Sequence, residues 1–192
     1  MKTTDHLARY SMYKALEAEP RAKIDKGPVL SISHSKALAR RLSEVESEII
    51  EANYPDSKIN ELNFPDNTFE AVVSDQVLEH IECSPVDAIQ EVYRVLKPGG
   101  LAVHTTCFMM PYHGSGDLDD FWRFSPSGLA RLHRNYGEII VADGWGNPLM
   151  PLLGGLGLVR MPVPEAKWHP FNKLARMNRR SYASVVWVVA RK

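Results

Sequence analysis

Residues 62–100 read LNFPDNTFEAVVSDQVLEHIECSPVDAIQEVYRVLKPGG, and this stretch decides the fold. Phe64-Pro65-Asp66-Asn67 is a turn signal. Phe69 to Ser74 then carries Ala71, Val72 and Val73, the short apolar run of a strand buried on both faces. Ser84 is placed to cap a helix, with Pro85 in its first turn and Asp87 completing a Ser-x-x-acid box. Val86, Ile89, Val92, Tyr93 and Leu96 recur at helical spacing, and Lys97-Pro98-Gly99-Gly100 ends the run. Leu101 to Cys107 is a second apolar run, rich in Val and Thr. Strand, helix and strand in this order imply two parallel strands joined by a right-handed crossover, so the chain is read as an α/β protein.

The whole chain sets outer bounds. Its 192 residues suffice for one domain with a real core, and 44% hydrophobic with 24% charged residues is ordinary globular composition. Lys plus Arg equals Asp plus Glu, 23 against 23, so no global field draws the chain to nucleic acid. Cys83 and Cys107 have no metal-site or disulfide spacing, and no metal is expected. His6, Arg9 and Glu17 interrupt the N-terminal apolar residues, and no stretch is long and apolar enough to span a bilayer. The expectation is a cytoplasmic protein with one domain over residues 1–192: an N-terminal helix and lead-in (1–26), a core (27–147), a covering segment (148–182) and a last strand (183–192).

Working outward, Thr4 to Glu19 places Leu7, Ala8, Met12, Ala15 and Leu16 at helical intervals before Pro20, a helix on one edge of the domain. Val29 to Ser33 is a strand, Lys36 to Leu42 a helix, and Glu48 to Asn53 the next strand. Ser125-Pro126 caps a helix with Leu129, Leu132 and Tyr136, followed by a strand over Glu138 to Ala142. Pro148 to Pro164, PLMPLLGGLGLVRMPVP, has no settled periodicity and is followed by Trp168, Arg176, Arg179 and Arg180. An apolar stretch beside basic residues suits a lipid-linked acceptor, a peripheral membrane surface or a partner subunit, with simple packing over the sheet as the alternative. Ala183 to Ala190 is a buried strand that completes the sheet.

The phrases LNFPDNTFEAVVSDQVLEHI and EVYRVLKPGG resemble the fourth strand and following helix of class I S-adenosylmethionine-dependent methyltransferases, of the small type 11 kind. PYHGSGDLDDFWRFSPSGLARL (111–132) resembles the acceptor-side segment of a subgroup often encoded with glycan or cell-surface biosynthesis enzymes. The resemblance covers about residues 28–146. It implies a Rossmann-like, mostly parallel seven-stranded sheet with helices on both faces, the cofactor S-adenosylmethionine, and methyl transfer to a small-molecule or glycan-type acceptor. Two positions of the family's glycine loop are Ser33 and Ser35 here, and Ala37 takes a third. Asn53 takes the place of the usual ribose-binding carboxylate, with Glu51 as substitute if the register slips. Asn60 stands nearest the adenine-contacting position, close to Lys58, and Asp75 and Gln76 line the floor under the methionine part. Glu79 and His80 form either part of the site or a structural pair. On the acceptor side the resemblance implies His113 and Asp120 as acid-base groups, with Tyr112, Trp122 and Arg123 contacting the acceptor. The structural alternative puts Trp122 and Phe124 in the core and pairs Arg123 with a loop aspartate. The substituted glycine loop supports the alternative function, a non-catalytic binding or scaffolding protein that keeps the fold and has lost the cofactor.

Overall fold

The computed structural model describes residues 5–25, 27–43, 47–114, 116 and 118–192. Residues 1–4 and 26 of the expected lead-in, and Ser115 and Asp117 of the acceptor-side loop, lie outside the described residues.

Helix α1 (Leu7–Glu17) leads into β1 (Val29–Ile32), α2 (Lys36–Leu42) and β2 (Ile49–Ala52). Then come β3 (Phe69–Asp75), α3 (Pro85–Val95), β4 (Leu96–Cys107), α4 (Pro126–Leu132) and β5 (Glu138–Trp145). Helices α5 (Met150–Gly155) and α6 (Pro170–Arg176) precede β6 (Val185–Arg191). The strand order is β2-β1-β3-β4-β6-β5. The pairs β1–β2, β1–β3 and β3–β4 are parallel, and β6 lies antiparallel between β4 and β5. β5 therefore runs in the same direction as β1, β3 and β4.

The expected seventh strand is absent among the described residues: the sheet has six strands, of which only some pair in parallel. The reason is chain length. A parallel strand outside β2 would need a crossover of about a dozen residues, a strand of about five and a return path. Residues 53–68 hold only turns, bends and an isolated Lys58–Glu61 bridge before β3 begins.

Period-two alternation sends the strand side chains to two separate cores, as expected of a sheet covered on both faces. Leu30, Val72, Ala102 and Val188 face α3 and α4. Val29, Val73, Val103 and Trp187 face α1, α2 and α6. In α3, Ala88, Ile89, Val92 and Val95 are buried, whereas Val86 is exposed. Pro85 and Asp87 sit in the first turn as read from sequence, but the Ser84 side chain makes no capping hydrogen bond. Ser125 does cap α4, its Oγ accepting from Gly128 N at 3.1 Å. The stretch 148–164, expected to lack settled periodicity, includes the short helix α5; its Leu153 and Val163, with Leu174 and Ala175 of α6, pack into the α1 side of the core.

β5 leaves the sheet at Gly146, where the backbone passes hard against the approach to β6. A Cβ there would lie 1.9 Å from Tyr182 O and 2.6 Å from Ser184 N, whereas a Cβ on Gly154 of α5 meets nothing within 4 Å. Gly146→Ala is expected to lower the unfolding free energy by about 2–4 kcal/mol, because backbone cannot yield cheaply. Gly154→Ala should leave stability unchanged or raise it by up to about 1 kcal/mol. Urea unfolding of the two variants checks this; equal effects would contradict it.

Candidate functional site

The strands β1, β3 and β4 point their carboxyl ends at one edge of the sheet, the edge where open α/β sheets hold ligands. Three non-glycine residues there have left-handed backbone: Ser33 (φ 46°) and His34 (φ 65°) just after β1, and Gln76 (φ 58°) just after β3. Each such conformation costs about 1 kcal/mol or more, so surrounding contacts must impose it. Those contacts are visible. Ser33 N donates to Ala52 O at 2.9 Å. His34 N donates to Asn53 Oδ1 at 2.8 Å. Ser35 Oγ donates to Ile32 O at 2.5 Å and accepts from Asp75 N at 2.7 Å. The loop thus keeps the left-handed turn usually supplied by glycine, and serine and asparagine side chains hold it.

Beside this loop lies a cavity of about 740 Å³, lined by Ser33, His34, Ser57, Lys58, Asn60 and Gln76 as polar groups. Its apolar wall includes Tyr54, Ile59, Val77, Ile81, Leu118 and Phe121, and His80 and Asp119 close one side. The size is that of a small-molecule site.

Of the residues singled out as cofactor contacts, Ser33, Asn60 and Gln76 line the cavity, and Ser35, Asn53 and Asp75 do not. Ser35 is buried as the bolt between β1 and β3. Asn53 is turned to the His34 amide, and its Nδ2 donates to Glu51 Oε2 at 3.4 Å. Glu51 also pairs with Lys36 at 2.9 Å, so neither member of the expected ribose contact faces the cavity. The Asp75 carboxylate accepts from the Tyr13 hydroxyl and from Thr105 Oγ1 (2.7 Å), with Arg9 Nε at 3.5 Å. Burial and Asp75 together push the Tyr13 phenol well above its usual range, which keeps it a donor. Helix α1 therefore reaches the site through Asp75, a link that helical periodicity in the sequence did not reveal.

A second group of side chains, from the end of β3, the end of β4 and the loop after it, adjoins the cavity. Glu79 is buried, its Oε2 accepting from Thr106 Oγ1 at 2.8 Å. With the Gln76 amide oriented to match donors with acceptors, its nitrogen donates to Glu79 Oε1 at 3.2 Å and its oxygen accepts from Thr106 N at 3.2 Å. Burial raises the Glu79 carboxyl above its ordinary range. Glu79 and His80 do not pair with each other: the His80 ring Nδ1 lies 2.6 Å from Asp119 O. The His80 and His113 rings stand nearly perpendicular, 5.1 Å apart.

His113 is exposed, and its Nδ1 is 3.2 Å from Asp120 Oδ2. The Asp120 side chain has no solvent exposure, accepts from His113 N at 2.9 Å and is gripped by both terminal nitrogens of Arg123. That guanidinium holds the Asp120 pKa down at about 2. Asp120 thus stands as a carboxylate held by Arg123 against the His113 ring. Arg123 pairs with Asp120, as the structural alternative had it. Trp122 Nε1 donates to Ile81 O at 2.9 Å, and Tyr112, 70% exposed, donates to Asp119 Oδ1 at 2.8 Å. Burial pushes the Cys107 thiol up to about 12 and raises the Cys83 thiol above its ordinary value.

A family model described as a methyltransferase domain matches residues 22–104. A search among curated proteins gives no match. Among solved structures, the chain is similar to the Haemonchus contortus phosphoethanolamine N-methyltransferase 2, with 14% identity, 95% of this chain and 53% of that chain covered, and a TM-score of 0.57. It is also similar to a chain of the Haloferax volcanii complex between the Trm112 methyltransferase activator and a methyltransferase (16% identity, 94% and 88% covered, TM-score 0.53). A third is the [4+2]-cyclase SpnF (17% identity, 94% and 80% covered, TM-score 0.50). At these identities the likeness is one of fold.

The buried Glu79 carboxyl gives a pH signature. Its folded pKa lies above the ordinary 4.5 of an exposed glutamate, so the unfolded chain ionises first as pH rises. Stability present below pH 4.5 is therefore lost as pH climbs through the folded pKa. Glu79→Gln keeps a hydrogen-bonding group but cannot ionise. Its melting temperature relative to the parent protein should rise from pH 4.5 and level off once pH passes the folded Glu79 pKa, in a comparison that cancels the buried His104 and His133. A pH-independent difference would show that Glu79 is ionised in the native state.

Proposed function

Taking a class I S-adenosylmethionine-dependent methyltransferase-like domain as the premise, we propose that this protein transfers a methyl group from S-adenosylmethionine to a small-molecule or glycan-type acceptor. The observation that carries this reading is the open cavity beside the left-handed Ser33-His34 turn. A loop that had merely lost its glycines would be free to relax; here the strained turn persists and the space beside it stays open.

The residues present fit the cofactor. Ile59, Val77 and Ile81 offer apolar surface for a purine, with the Asn60 amide for its edge, and the loop backbone and Gln76 offer polar groups for the amino-acid end. When bound, S-adenosylmethionine supplies an electrophilic methyl group on a sulfonium centre. The chain's own task is to align an acceptor and take its proton. His113 is the base in this reading, its Nδ1 facing the buried Asp120 carboxylate so that Nε2 is left for the acceptor. Tyr112 and Trp122 border the acceptor path, and Arg123 serves it indirectly by fixing Asp120.

One observation favours a second reading, a non-catalytic binding or scaffolding protein: Asn53 and Glu51 are spent on holding the loop and do not face the cavity, so the expected ribose contact is missing. Titration calorimetry and thermal unfolding with S-adenosylhomocysteine separate the two. Ligand at about 100 times its Kd should stabilise the protein by about 2.7 kcal/mol, and Asn60→Ala should weaken binding. His113→Ala should bind the ligand normally while turnover falls about 100-fold to 10,000-fold. No heat and no stabilisation at millimolar ligand would establish the second reading.

A further inference from the structure

The link between β5 and β6 has an outer surface unlike that of an ordinary soluble domain. On α5 and its flanks, Leu149, Leu152 and Leu156 follow one another at intervals of three and four, forming a single stripe. All three are exposed, Leu152 at 61% and Leu156 at 63%, while Met150 is buried and Leu153 packs into the core. The helix thus has apolar residues on the face turned inward and again on the face turned to water, where polar residues normally stand. Farther along the same link, Trp168 is 74% exposed and Met177 57%.

Charge indicates what covers this surface. Residues 148–182 contain Arg160, Lys167, Lys173, Arg176, Arg179 and Arg180 against a single carboxylate, Glu165, whereas the rest of the chain carries 17 Lys and Arg against 22 Asp and Glu. All six cations are exposed, and among the described residues only Arg180 has an ion-pair partner, Asp143 at 3.0 Å. Exposed Leu and Trp set among Lys and Arg, with one carboxylate, match the chemistry of an interfacial element on anionic lipid, apolar side chains at the acyl boundary and cations at the phosphates. The placement agrees. β5 runs parallel to β1, β3 and β4, so α5 emerges at the same end of the sheet as the cavity.

We propose that residues 148–182 dock this protein on an anionic membrane surface, with Leu149, Leu152, Leu156 and Trp168 entering the interface. This inference is independent of methyl transfer. The test is co-sedimentation with vesicles of phosphatidylcholine containing about one third phosphatidylglycerol, against phosphatidylcholine alone, at about 0.1 M and about 1 M salt. The protein should pellet with anionic vesicles at low salt, at least about ten times less with neutral ones, and lose binding at high salt. The double variant Leu152→Glu, Leu156→Glu changes only exposed positions. It should keep the parent's melting temperature and bind anionic vesicles at least about ten times more weakly. Absence of binding, or equal binding by the double variant, overturns the proposal. So does a dimer in light scattering that the double variant dissociates, because the stripe would then be covered by a second copy.

Discussion

Asp75 is where the ligand end of this protein is pinned together. Its backbone amide donates to Ser35 from the β1 loop, and its carboxylate takes hydrogen bonds from Tyr13 of α1 and Thr105 of β4. A carboxylate this enclosed is tolerable only because it is paired and hydrogen-bonded; with a donor removed it would carry the desolvation cost unopposed. The consequence is geometric. One residue ties the β1 loop to the end of β3 through its backbone amide and holds the N-terminal helix and β4 through its carboxylate, and Gln76, the next residue, is left-handed at the cavity wall.

The turn after β1 depends on that anchor. Glycine would adopt positive φ there without strain, whereas Ser33 and His34 must be forced into it. Ser35 and Asn53 supply the force from opposite sides, one bonded to β1 and β3, the other to the His34 amide. Hydrogen-bonded side chains thus substitute for missing conformational freedom, and the substitution uses up Asn53, which the family pattern would assign to the ligand. Fold similarity extends from a phosphoethanolamine N-methyltransferase to a [4+2]-cyclase. The chemistry must therefore be argued from the cavity and the Glu79–His80–His113 group rather than from the fold.

Much of the fold was legible because the strands are short apolar runs buried on both faces and the helices carry strong boundary residues. Pro85 and Ser125-Pro126 mark helix starts, and the Val-rich run at 185–189 marks the central antiparallel strand. The strand count was not legible, since it depends on whether residues 53–68 are long enough for a crossover rather than on any local signal. At the site, Ser33 and Gln76 follow the ends of β1 and β3 and line the cavity, as does Asn60 from the stretch after β2. Ser35, Asn53 and Asp75 were assigned to a ligand when they bind the protein itself, a distinction that rests on contacts between segments tens of residues apart. The burial of Glu79 and the link from Tyr13 are likewise tertiary facts with no signature in spacing, whereas the Asp120–Arg123 pair, three residues apart, was anticipated as the structural alternative.

In the function proposed above, the cavity beside the strained turn is a nucleoside site kept open by Asp75, Ser35 and Asn53. Amide-resolved NMR of the isotopically labelled protein, titrated with S-adenosylhomocysteine, tests it most directly. The account predicts saturable shifts concentrated at Ser33, His34, Asn60, Gln76 and Val77, with β5, α5 and α6 unmoved. Saturable shifts clustered anywhere else, or none at millimolar ligand, would contradict it.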